Sequence, residues 1–323
     1  MSELAYAGVQ ALVSWLVLTV AVSQLVSWGY PLFRRFARRG RASDRALAQF
    51  SYGVLGPLVA AISVVLIMLP ESAALLVPSH CHHGSCLPHR PEIGFHSPAG
   101  AILVAASLVV LLLVVVAFQR TLRHARRRLL ALSLLSFRKK KDDVSGDIVY
   151  SVVESPAQLA WCAGMLRPRV FISTGMLAEL DRDELSAVLA HERAHARRRD
   201  NLLQVVLRWF TLAWSRSQRA RLLADFASSS EQSCDEAACA RPGARAVLIR
   251  LLERLHPRRG VPAGGRQSGF QEPDIQERLD ALRNAAQGDS LALAWLFLAG
   301  LWLVGMVLLT GITHRLIEVF TFT

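Results

Sequence analysis

Four stretches of this chain, near residues 8–28, 49–69, 99–118 and 291–311, are apolar and almost free of charge. A helix needs about 20 such residues to cross the hydrocarbon core of a bilayer, and it satisfies all its backbone hydrogen bonds within the segment. Any one of them could be a buried core helix, but four with charged flanks predict four transmembrane helices. A hydrophobic content of 52% and a mean hydropathy of +0.32 agree, and they argue against an ordinary soluble domain.

The arginines predict which way the spans run, because short loops rich in Lys and Arg stay in the cytoplasm. The first connection carries Arg34, Arg35, Arg38, Arg39, Arg41 and Arg45. The exit of the third stretch carries Arg120, Arg123, Arg126, Arg127, Arg128 and the run Arg138 to Lys141. The connection over 71–98 has only Arg90 as a permanent positive charge. Both termini are therefore expected outside, with residues of about 119 to 290 cytoplasmic. The net charge of +12 is concentrated beside the spans, where it suits anionic lipid, so direct nucleic-acid binding is not expected. The first stretch lacks a positive leader and a small-residue cleavage site, so it is not expected to be a removed signal peptide.

The chain thus divides into three parts. Residues 1–140 hold three spans, 141–288 one soluble domain, and 289–323 the fourth span with a short outer tail. Within the domain, Ile148 to Val153 and Val170 to Ile172 read as strands. An edge strand there could hold an extended peptide; plain pairing of the two strands is the simpler alternative. Leu202 to Trp214 is too short to span and reads as a core or interfacial helix.

The chemistry is concentrated in His191-Glu192-Arg193-Ala194-His195. Asp181 with Glu184 three residues on forms a capping box, and Leu185, Val188 and Leu189 then recur at helical spacing, so the pentapeptide lies on a helix with one buried face. Imidazoles at i and i+4 share a face and can grip one zinc ion, while the intervening carboxylate serves a water as general base. Hydrolytic zinc keeps three protein ligands and one open position. The third ligand must come from another element. Glu231 is the leading candidate, with Glu236 and Asp225 as competitors. Asp235, at i+4 from Glu231, is placed to orient a ligand histidine. This set points to hydrolysis of a peptide bond in which Glu192 takes and returns the proton.

Cysteine usage differs by side. Cys162, Cys234 and Cys239 fall in the region expected to be reduced. The outer connection reads His80-Cys81-His82-His83-Gly84-Ser85-Cys86-Leu87-Pro88-His89. Such a tract either binds a metal or is a disulfide-closed loop with solvated histidines.

Ala163 to Val170 (AGMLRPRV), Glu184 to Asp200 (ELSAVLAHERAHARRRD) and Glu231 to Cys239 (EQSCDEAAC) together resemble the membrane zinc metallopeptidases of the β-lactam-sensor and antirepressor type. A more distant likeness is to the prenyl-protein and heat-shock-induced membrane proteases. The resemblance implies a mainly α membrane protein of the bacterial cytoplasmic membrane, with an α+β zincin-like domain between the third and fourth spans. It also implies one Zn2+ held by His191, His195 and Glu231, catalytic Glu192, orienting Asp235, and a peptide or protein substrate such as a transcriptional repressor or the chain itself. The sensors carry an extracellular penicillin-binding domain that this sequence does not contain, so β-lactam sensing is not expected. Two rival readings remain at this level. One is a non-proteolytic transducer with a structural zinc closed by a fourth ligand such as Cys234. The other is a metal-handling protein whose outer loop does the main work.

Overall fold

The computed structural model describes residues 3–69, 98–141, 149–255, 275–284 and 291–305. Three helices come first: α1 (Glu3–Ala37), α2 (Ala42–Met68) and α3 (Pro98–Leu135). All three are long and apolar enough to cross a membrane. The expected fourth stretch begins as the apolar helix α10 (Ala292–Gly305); the rest of it, from residue 306, lies outside the described residues, as does the Cys/His tract of the second connection.

α3 does not stop where its apolar run ends. It carries on through the arginine-rich segment to Leu135, because Arg and Leu are both good helix formers and nothing in that segment breaks the backbone pattern. Its apolar flank is open, with Leu112 61% and Leu113 63% exposed, as expected for a lipid-facing helix.

A four-stranded sheet follows: β1 (Ser136–Lys141), β2 (Val149–Val153), β3 (Ala160–Ala163) and β4 (Arg169–Ser173). The order is β1-β2-β4-β3. β2 runs parallel to β4, while β1 and β3 run antiparallel to their neighbours. The two strands expected from β-branched runs are thus β2 and β4, and both are interior. Their apolar residues, Tyr150, Val152, Val170 and Ile172, are buried with Val188 and Leu189. Their pairing partners are already taken, so neither can receive a peptide as an edge strand. The edge positions belong to β1 and β3.

After the short α4 (Thr174–Glu179), the helices α5 (Arg182–Arg198), α6 (Asp200–Phe210), α7 (Arg216–Ala238), α8 (Ala244–Leu255) and α9 (Ile275–Arg283) build the rest of the domain. The largest core joins this domain to the membrane helices. Leu207 of α6 and Leu222 and Phe226 of α7 are buried with Tyr30, Phe33, Tyr52 and Leu55, and with Leu291, Ala294 and Leu298 at the α10 end. The expected core helix over 202–214 is therefore α6 with the turn after it, where Trp214 packs on Tyr30 and Tyr52 at ring-centroid distances of 5.8 and 5.9 Å. Close approach of α2 depends on Gly53, since a Cβ there would overlap Leu207 and Leu222.

Polar contacts hold α7 against the α1–α2 connection. Asp225 accepts from Tyr30 Oη at 2.7 Å and from Arg34 NH2 at 2.7 Å, and Arg45 donates to Gln232. The sheet-and-helix domain is thus fastened to the end of the α1–α2 pair that carries the first arginine cluster.

Candidate metal and active site

α5 begins with the capping box that the sequence predicts. The Asp181 carboxylate accepts from the Glu184 N–H at 2.8 Å, and Glu184 accepts from the Asp181 N–H at 3.1 Å. Arg254 of α8 adds a bond to Glu184 at 2.8 Å. Val188 and Leu189 seat the helix on the sheet, which turns His191, Glu192 and His195 toward α7.

There they meet Glu231. His191 Nε2 lies 3.4 Å from one Glu231 oxygen, His195 Nε2 lies 3.3 Å from the other, and the two imidazole nitrogens are 3.2 Å apart. The competitors of Glu231 lie elsewhere: Asp225 is held by Tyr30 and Arg34, and Glu236 is exposed.

Each imidazole is backed by a buried carboxylate. Asp235 Oδ1 is 2.9 Å from His191 Nδ1, a close polar contact whose geometry falls short of a linear hydrogen bond. Asp200 Oδ2 is 2.7 Å from His195 Nδ1. Asp235 and Asp200 are 1% and 2% exposed, so their charge acts on the rings with little screening. Carboxylates at both Nδ1 atoms favour the tautomer with its proton there, leaving both Nε2 lone pairs directed at each other and at Glu231. Three electron-pair donors that converge in this way repel one another unless a proton or cation lies between them.

The spacing fits a cation. Tetrahedral ligands about 2.0–2.1 Å from zinc stand about 3.3 Å from one another; the imidazole nitrogens are 3.2 Å apart, and Glu231 brings one oxygen within 3.3 Å of His195 and the other within 3.4 Å of His191. Without a cation the surrounding carboxylates favour the protonated histidines. Burial lowers the His191 pKa, but Asp235 and Glu231 outweigh it and raise it to about 8. His195 moves the same way, with burial opposed by Asp200, Cys234 and Glu231. Burial acts to raise the Glu231 carboxyl, yet the two imidazoles hold it well below the usual range. Burial pushes the Glu192 carboxyl above its ordinary value, in the direction a general base near neutral pH requires.

Several members of the site were not legible in the sequence. Asp200 is five residues past His195, off its helical face. It reaches the ring because Arg199 adopts a left-handed conformation (φ 55°, ψ 42°), which breaks the helix and restarts it at α6. Arg197 and Arg198 fill the last turn of α5 with Arg199 as its cap, and Arg198 also donates to Asp200 at 3.1 Å and to Ser233. Arg278 of α9 bonds both oxygens of Asp235, at 2.8 and 2.7 Å, and lies 3.2 Å from Glu231. Nothing local in the sequence marks it, since α9 joins the site only through tertiary packing. Cys234 sits behind His195, with Sγ 3.7 Å from Asp200. It does not join the His191–His195–Glu231 trio, and burial pushes its thiol up to about 11.

Edge strand β3 passes beside α5. Asn201 fastens its end by donating to the carbonyls of Cys162 at 3.0 Å and Gly164 at 3.3 Å. The outer-loop candidates Cys81, Cys86, His80, His82, His83 and His89 all lie outside the described residues.

A His-Glu-x-x-His helix facing a carboxylate from a second helix, in a domain docked on apolar helices, is the arrangement of a membrane-associated metallopeptidase. Comparison with known families agrees. Residues 131–254 match the model of Peptidase family M48, a segment that contains His191, Glu192, His195, Glu231 and Asp235. No curated protein and no solved structure matches the chain.

Proposed function

We propose that this chain is an integral-membrane zinc endopeptidase that cuts peptide bonds at the cytoplasmic face of the bacterial inner membrane, in a regulatory role such as cleavage of a repressor or of itself. The observation that carries the reading is the convergence of His191 Nε2, His195 Nε2 and the Glu231 carboxylate, close enough together to hold one ion. A three-ligand set that the nearest thiol, Cys234, does not join leaves a corner for chemistry, which favours catalysis over a closed structural site. Zinc, when bound there, would polarise a peptide carbonyl and lower the pKa of a water. Asp235 and Asp200 hold the two imidazoles in the ligating tautomer. Glu192, its carboxyl raised by burial, accepts the water's proton and returns it to the leaving amine. Edge strand β3 offers the extended substrate a backbone to pair with. The cytoplasmic placement rests on the arginine clusters that flank the spans.

The decisive experiment measures metal content and peptide cleavage together in membranes. Glu192→Ala removes the base and no ligand, so it should keep zinc and lose at least a hundredfold in cleavage rate. Glu231→Ala should lose both. Undiminished cleavage by Glu192→Ala would refute the assignment.

A further inference from the structure

Away from the His191–His195–Glu231 trio, the end of α1 and the first turns of α7 flank a half-open pocket of about 200 Å3, lined by Pro31, Arg34, Arg35, Arg38, Gln218 and Arg221. Arg34 is neutralised by Asp225. Arg35, Arg38 and Arg221 are exposed and have no ion-pair partner among the described residues. Three uncompensated guanidinium groups around one small cavity repel one another, and a phosphate is the ligand whose charge and oxygens suit them. Gln218 adds the opposite polarity, because its Oε1 is buried without a partner and would accept from a ligand hydroxyl.

Depth along α1 identifies the source of that phosphate. Trp28 is 69% and Leu32 47% exposed, so this flank of the helix faces lipid up to Leu32. Arg35 follows about 4.5 Å further along the axis, and the polar layer of a bilayer is about 5–8 Å deep on each side. The arginines therefore stand at the level of the headgroups. We infer that this cavity is a binding site for the phosphate diester of an anionic glycerophospholipid with a hydroxyl-bearing headgroup. A bound headgroup bridges α1 to the start of α7, the helix that carries Glu231 and Asp235 at its other end, and so holds the site's second helix at the membrane surface. This inference is independent of the metal and of the peptidase reading.

The test uses the full chain in a neutral detergent, titrated with dioctanoyl-phosphatidylglycerol, dioctanoyl-phosphatidylcholine or inorganic phosphate, with thermal stability as the readout. The phosphatidylglycerol lipid should raise Tm saturably, with apparent affinity at least tenfold above that of the other two probes. Each arginine at an anionic lipid surface is worth about fivefold, so the triple variant Arg35→Gln, Arg38→Gln, Arg221→Gln should weaken the effect about a hundredfold. Arg221→Gln alone should weaken it about fivefold, which keeps the test open if the triple variant folds poorly. The control triple Arg123→Gln, Arg126→Gln, Arg127→Gln on α3 should leave it intact. Inorganic phosphate matching the lipid would make this a free-anion site and overturn the lipid assignment. So would an equal loss in the control, or an affinity unchanged by Arg221→Gln.

Discussion

Replacing Asp235 by asparagine tests how the buried carboxylates govern the imidazoles. The side chain keeps its size, and one oxygen can still accept from His191 Nδ1, but the charge is gone and an amide donor now faces Arg278. In the native protein Asp235 is 1% exposed, 2.9 Å from His191 Nδ1, and doubly bonded to Arg278 at 2.7 and 2.8 Å. Losing the partner that orients a metal-bound histidine typically costs 10–100-fold in metal affinity, or about 1.4–2.8 kcal/mol. Breaking the buried Arg278 pair adds a separate cost of about 3–5 kcal/mol to the stability of the metal-free protein. Glu231, still 3.2 Å from Arg278, should hold this toward the lower end. Zinc competition against a chromophoric chelator measures the first effect, and thermal unfolding with the metal removed measures the second. Asp200→Asn should weaken zinc similarly, through His195. If folded Asp235→Asn bound zinc within threefold of wild type, the carboxylate would not be setting the tautomer of His191, and the argument for the converging lone pairs would fail.

Three further outcomes follow from particular contacts. His191 is raised to about 8 in the metal-free fold from about 6.5 in the unfolded chain. Its contribution to stability is therefore complete below about pH 6.5 and lost as pH rises through about 8. Zinc binding should strengthen over the same range as protons leave the rings, so Tm against pH should slope downward with chelator and upward with zinc; parallel slopes would contradict the site's electrostatics. The left-handed turn at Arg199 is strained for a side chain by about 1–2 kcal/mol. Arg199→Gly should keep stability and zinc, whereas Arg199→Val should lose about 1–3 kcal/mol and weaken zinc by displacing Asp200, as read by unfolding and chelator competition. Gly53→Val should cost about 1–3 kcal/mol by forcing Leu207 and Leu222 off α2, seen as a lower Tm of the full chain in detergent; an unchanged Tm would mean that the two parts are not packed as described.

Most of what could be read along the chain rests on short-range periodicity. Apolar runs of bilayer length marked α1, α2, α3 and the start of α10, and short apolar, β-branched runs marked β2 and β4. The capping box and the i, i+4 histidines marked α5, because helix geometry alone puts those side chains on one face. The same logic linked Asp235 to Glu231, although it could not bring α7 to α5. What tertiary structure decided is everything that depends on chain reversal or on elements distant in sequence. A left-handed Arg199 carried Asp200 under His195. Arg278 arrived on α9 to clamp Asp235 and Glu231. Sheet order left β3, and neither of the two strands marked beforehand, at the edge beside the catalytic helix. Periodicity reports which way a residue faces within its own element, whereas convergence of charges from several elements depends on packing between them, and no local pattern in the sequence encodes that.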